Sequence, residues 1–69
     1  MSEKVRFDTG EWKGEMRIVQ TAQGYEVKAA VFLRPLILSP FFTVKSFAGE
    51  DAAFMSRLYA KRIKEAFES

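Results

Sequence analysis

The chain has 69 residues, no cysteine and no histidine, and eleven Lys and Arg against nine Asp and Glu, for a formal net charge of +2 at pH 7. This composition excludes disulfides, thiolate metal sites and histidine ligands, and the length predicts one small domain over residues 1–69. A core of this size gives marginal stability, so close packing or oligomerisation has to supplement it. Hydrophobic residues make up 48% of the chain, which argues against disorder.

The N-terminal residues MSEKVRFD contain no apolar segment, which predicts that the chain has no signal peptide. No apolar run approaches the roughly 20 residues that a membrane-spanning helix needs. The sequence therefore predicts a cytoplasmic protein without membrane contact.

Period-two patterns dominate the first half of the chain. Near the N-terminus, Val5 and Phe7 alternate with charges, which allows a short strand. Residues 12–20 and 25–34 alternate apolar and polar side chains over longer runs, which predicts two strands. Residues 21–24 contain Thr and Gly and form a turn, so these two strands make a hairpin.

Two prolines and a change of period shape the second half. Neither Pro35 nor Pro40 can donate to a central ladder, so residues 35–40 are expected to be a connection and 41–45 a third strand. From about Gly49 the period becomes 3.6, which predicts an amphipathic helix of roughly five turns. The expected core face of this helix consists of Ala52, Met55, Tyr59, Ile63 and Ala66, flanked by Leu58 and Phe67.

The predicted fold is α+β: a three-stranded antiparallel sheet followed by one C-terminal helix packed on one face, in the order β-β-β-α. This order is similar to that of the plant ethylene-response-factor DNA-binding domains and the arm-binding domains of phage integrases. Those families bind DNA through the sheet, so the resemblance implies a nucleic-acid-binding role. It is a likeness of architecture and brings no base-reading residue to this chain.

The segment 32–42, FLRPLILSPFF, is apolar although it spans a predicted connection. Loops lie on the surface, so adjacent large aliphatics there need an explanation. They either fold over the open end of the core or meet a partner. The second alternative predicts a non-enzymatic interaction module that binds a protein or self-associates as a homo-oligomer through the 35–42 connection. Its contact residues are Leu36, Ile37, Leu38 and Phe41.

Basic residues provide the alternative function, nucleic-acid binding. On the predicted helix, Arg57, Lys61 and Lys64 fall within about 60° of one another, with Phe54 beside them, on the face opposite the core. On the sheet, the pattern places Arg17 and Lys28 outward, joined by Lys45 if Phe42 and Val44 point inward. Either set could contact phosphates.

Signals for catalysis are weak. Asp8-Thr9-Gly10 resembles the D-T-G triplet of aspartic proteases, but its charged surroundings predict an ordinary turn. The adjacent carboxylates Glu50 and Asp51 are expected to be first-turn charges at the helix N-terminus. The serines have no histidine to activate them. We therefore predict no catalytic residues, no metal site and no cofactor.

Overall fold

A computed structural model of the protein describes the backbone of residues 2–33, 36–37 and 40–69, and the side chains of residues 3–31 and 40–69. Within these described residues, five strands precede one helix. In chain order the elements are β1 (Ser2–Asp8), β2 (Lys13–Gln20), β3 (Gly24–Leu33), β4 (Leu36–Ile37), β5 (Phe42–Ala48) and α1 (Ala52–Glu68). The α+β class with a C-terminal helix is confirmed, and the short N-terminal strand that the sequence allowed is present.

The sheet is an antiparallel meander. β1 pairs with β2, β2 pairs with β3, and the other edge of β3 is shared by β5 and the two-residue β4. The prediction that residues 35–40 form only a connection is therefore wrong, because Leu36 and Ile37 pair with the end of β3. The third predicted strand is also longer than residues 41–45. The observed strand, Phe42–Ala48, ends where Gly49 adopts a φ of +96°, a conformation that glycine accepts readily.

Short polar turns join the first strands. The Gly10 N–H donates to the Asp8 carboxylate at 2.8 Å, and the Thr9 N–H donates to the Trp12 carbonyl at 2.9 Å. Asp8-Thr9-Gly10 is thus the ordinary turn that the sequence predicts. At the next turn, a β-carbon on Gly24 would lie 2.1 Å from the Phe47 carbonyl oxygen, so the β3–β5 contact requires glycine there.

The core lies between the sheet and α1. Met16 and Val27 are fully buried at its centre, with Ile18 and Phe7 beside them. These side chains come from alternate positions of neighbouring strands, as a sheet with one buried face requires. Each fully buried aliphatic side chain contributes about 1.5–3 kcal/mol relative to exposure.

The helix packs on the core through three small residues, and the predicted core residues Tyr59 and Ile63 are partly buried beside them. Its buried positions are Ala52, Ser56 and Ala60, whereas Met55 is 43% exposed and Ala66 is exposed. Residues four apart share a helix face, so three small side chains in register let α1 approach the sheet closely. The prediction that Met55 and Ala66 belong to the core face is therefore wrong.

The helix begins at Ala52, directly after the adjacent carboxylates Glu50 and Asp51. Asp51 occupies the N-cap position without a side-chain capping hydrogen bond, and no acidic residue lies in the first turn. The expectation of first-turn carboxylates is therefore wrong. The part of the chain that the structure describes contains no helix long and apolar enough to cross a bilayer.

Candidate functional site

Three cations line up across the face of the sheet opposite the helix. In the strand register Lys4 of β1 lies directly opposite Arg17 of β2, and Arg17 lies directly opposite Lys28 of β3. Directly opposite residues have β-carbons about 4.5–5.5 Å apart and point to the same face. We call Lys4, Arg17 and Lys28 the basic row. Lys4 is exposed, and the other two are half-buried.

Alternation along each strand explains this placement. Val5, Met16 and Val27 pack in the core, so the side chains next to them in sequence point to the opposite face. Arg17 and Lys28 were predicted there, and the structure brings them together. Lys4 was missed as a site residue, although its alternation with Val5 was visible in the sequence.

Glu15 holds two arginines in place on this face. Its carboxylate accepts hydrogen bonds from Arg6 Nε at 3.1 Å and from Arg17 Nε at 3.0 Å. Burial of Glu15 opposes its ionisation, but these hydrogen bonds and the nearby positive charges of Arg17 and Lys4 outweigh it, and the pKa of Glu15 is lowered. The ionised carboxylate therefore fixes the direction of the Arg17 side chain.

Phe41 joins the basic row through Arg17. The Arg17 guanidinium carbon lies 3.9 Å from the centre of the Phe41 ring, a cation–π contact. The Arg17 side chain remains 40% exposed beneath this ring and beside Glu15. Phe41 was predicted to contact a protein partner, and the structure places it against a predicted nucleic-acid-binding residue.

Lys45 lies on the other face of the sheet. The register pairs Val27 with Lys45 but Lys28 with Thr43, so β5 carries a bulge that includes Val44. Since Val27 faces the helix, Lys45 does too, and its ammonium lies 5.9 Å from the Tyr59 ring centre. The prediction that Lys45 joins Arg17 and Lys28 is wrong because the bulge shifts the alternation by one residue.

Two of the three predicted helix cations are engaged with β1. Arg57 donates from Nε to the Glu3 carboxylate at 2.9 Å, and Lys64 donates to the Arg6 carbonyl at 2.9 Å. Lys61 is exposed, and the described part of the chain offers it no ion-pair partner. The helix cations are therefore not one free surface opposite the core.

The apolar connection is only partly described. The backbones of Leu36 and Ile37 form β4, while the side chains of both residues lie outside the described part of the chain, as does all of Leu38. Whether these aliphatics complete the core or meet a partner therefore stays a prediction. Phe42, the last residue of this connection, is 50% exposed, and Trp12, which precedes the residue paired with Phe32, is 42% exposed.

Comparison with known proteins adds no assignment. No family model matches the chain, and neither the curated proteins nor the solved structures contain a significant match. The likeness to the sheet-type DNA-binding domains was based on the order β-β-β-α, whereas the described chain has five strands before the helix, so the functional argument depends on the residues of this chain.

Proposed function

We propose that the protein is a non-enzymatic module that binds nucleic acid through the face of the sheet opposite the helix. The observation that carries this proposal is the basic row. Like charges directly opposite one another repel; Glu15 pairs with Arg17 and offsets part of this repulsion, and a polyanion that contacts Lys4 and Lys28 would remove the rest.

The wider charge distribution on this face supports the same ligand. Its described strand positions carry five cations against three carboxylates: Lys4, Arg6, Lys13, Arg17 and Lys28 against Asp8, Glu15 and Glu26. Neighbouring strands lie about 4.8 Å apart, so the basic row extends over about 10 Å. One strand of duplex DNA carries about three phosphates along that length of its axis.

The test is a binding measurement with matched lysine variants. Fluorescence anisotropy would follow labelled duplex DNA of about 20 base pairs and a labelled single strand of about 12 nucleotides, from about 50 mM to about 200 mM salt. The variants are Lys4→Gln and Lys28→Gln, with Lys61→Gln as the control because Lys61 is an exposed helix cation. We expect each row variant to weaken binding several-fold and to reduce the salt slope by about 1.

Two results would contradict this proposal. One is binding that does not depend on salt, since neutralised phosphates release counterions. The other is a loss of affinity in Lys61→Gln that equals the loss in Lys4→Gln, because binding would then follow the net charge of the protein rather than the face of the sheet.

A second candidate function is binding to a protein, including a second copy of this chain, through the 35–42 connection. The exposure of Trp12 and Phe42 supports it, since large exposed aromatics favour interfaces. Ile37→Asp should then abolish self-association or partner capture in sedimentation and pull-down experiments while the monomer stays folded. An unfolded Ile37→Asp monomer would instead place this segment in the core.

A further inference from the structure

We infer that the nucleic acid bound by this face is single-stranded, and that Phe41 selects it by stacking on an unpaired base. The inference rests on the proposed function, since it assigns a ligand class to the same face. It begins from the position of an aromatic ring directly beside the basic row, in contact with the central cation Arg17.

The Arg17–Phe41 pair is held in place before any ligand arrives. The Arg17 Nε donates to the Glu15 carboxylate, and the guanidinium carbon of Arg17 lies 3.9 Å from the centre of the Phe41 ring. Glu15 is itself 9% exposed, so the anchor of the pair is buried. A preorganised stack of this kind loses little conformational entropy on binding.

An aromatic ring beside cations favours a single strand for a geometric reason. Bases in a duplex are stacked on one another and offer only their edges to a protein. An unpaired base offers its flat face, which stacks on aromatic rings and on guanidinium planes, while the cations follow the phosphates. The described site has both parts, with Phe41 beside Arg17 and with Lys4 and Lys28 on either side of it.

The adjacent phenylalanine provides a matched control. Phe42 follows Phe41 in the chain and is 50% exposed, but it pairs with Ala29, whose side chain belongs to the core on the helix side. Phe41 is half-buried against Arg17 of the basic row, whereas Phe42 is exposed on the other face of the sheet. If the variants weakened binding only because they remove an apolar side chain, substitution of either phenylalanine would weaken it.

The experiment compares single-strand and duplex affinities in the wild type, Phe41→Ala, Phe41→Leu and Phe42→Ala at one low salt concentration. We expect both Phe41 variants to lose about tenfold or more in affinity for an unstructured oligonucleotide, the range for one lost base stack. Duplex affinity should change by less than about twofold, because the lysines supply it. Phe42→Ala should leave both affinities unchanged.

The outcomes separate this inference from the proposed function. If neither nucleic acid binds the wild type, both fail. If both bind with a salt dependence that Lys28→Gln reduces, but Phe41→Ala and Phe41→Leu lower the two affinities equally or not at all, only the inference fails. A circular-dichroism melt of each variant shows whether an affinity change accompanies unfolding.

Tryptophan fluorescence at position 41 detects stacking directly, without a measurement of affinity. Trp12 is the only tryptophan, so the double variant Trp12→Phe/Phe41→Trp reports from position 41 alone. We expect an added single strand to quench this fluorescence and a duplex to leave it nearly unchanged. Equal quenching by the duplex, or none by the single strand, would overturn the inference.

Discussion

The Lys64 ammonium donates a hydrogen bond of 2.9 Å to the backbone carbonyl of Arg6, at the outer edge of β1. One turn later, the Glu68 carboxylate accepts a 3.1 Å hydrogen bond from the Asp8 backbone N–H and a 2.7 Å one from Lys64 itself. An unpaired strand edge is a template for association with another chain. The last turns of α1 therefore cover, with a Lys–Glu pair, part of an edge that would otherwise be open.

Removal of the Glu68 carboxylate should expose this edge. We expect Glu68→Ala to accelerate hydrogen exchange at the Asp8 amide by about threefold or more, because the N–H loses its acceptor. Glu65→Ala, another exposed glutamate on the same helix, is the control and should leave this amide unchanged. NMR-detected exchange measures both. Unchanged protection in Glu68→Ala would show that the edge is covered in another way.

Acid should destabilise the fold through three carboxylates whose pKa values are lowered from the usual 4.5. Hydrogen bonds from Arg57 lower the pKa of Glu3, and those from Lys64 and the Asp8 N–H lower the pKa of Glu68. For Glu15, burial acts in the opposite direction but is outweighed by the two arginines. A lowered folded-state pKa stabilises the fold above the unfolded-state value and loses this effect as the pH falls through the folded-state value.

Urea denaturation at successive pH values tests this sign. The midpoint should be constant at neutral pH and should fall as the pH drops below about 4.5. Glu15→Gln should reduce the pH dependence, whereas Glu11→Gln, in the exposed turn after β1, should retain it. A midpoint that rises on acidification would contradict the assignment.

The Phe7 ring fills the space above Gly14. A β-carbon at position 14 would lie 1.9 Å from this ring. The Phe67 ring stacks on the Phe7 ring, with 4.6 Å between the two centroids. We expect Gly14→Ala to lower the free energy of unfolding by about 1–3 kcal/mol through overpacking. In a Phe7→Leu background the same change should cost less, since the smaller side chain leaves room. Equal costs in the two backgrounds, measured by urea denaturation, would rule out this contact as the cause.

The sequence predicted the strands better than the details of their pairing. Alternation at Val5, Met16 and Val27 marks a buried face directly, because the side-chain period of a strand is two. The bulge at Val44 has no recognisable pattern in the sequence, so alternation assigned Lys45 to the wrong face. A bulge depends on how β5 pairs with β3, which is a tertiary property.

The candidate site was predicted in the same partial way. Arg17 and Lys28 followed from alternation alone, and the structure makes them neighbours. The contact of Arg17 with Phe41 joins positions 24 residues apart in sequence, and no local pattern encodes it. Periodicity therefore identified which face is charged, but only the register showed that Lys4 completes a row.

Helix packing supplies a prediction in which size matters more than hydrophobicity. Ala60 is fully buried against the core, whereas Met55 is 43% exposed. Ala60→Leu should therefore destabilise the fold by about 1–3 kcal/mol, because the helix would have to move away from the sheet. Met55→Leu should change stability by less than about 0.5 kcal/mol. Thermal or urea denaturation measures the stability lost by each variant. A larger loss in Met55→Leu than in Ala60→Leu would show that Met55 packs in the core.

The basic row predicts that a variant can gain stability while it loses function. Lys28 lies directly opposite Arg17, and removal of its charge should stabilise the sheet by about 0.2–1 kcal/mol at low salt. Added salt should abolish this gain, because it screens the repulsion. The same Lys28→Gln variant should bind nucleic acid less tightly, whereas Lys61→Gln should change neither property. Urea denaturation at two salt concentrations and anisotropy at low salt measure both effects. Destabilisation of Lys28→Gln at low salt would mean that the row is not repulsive, and would remove the main argument for an anionic ligand on this face.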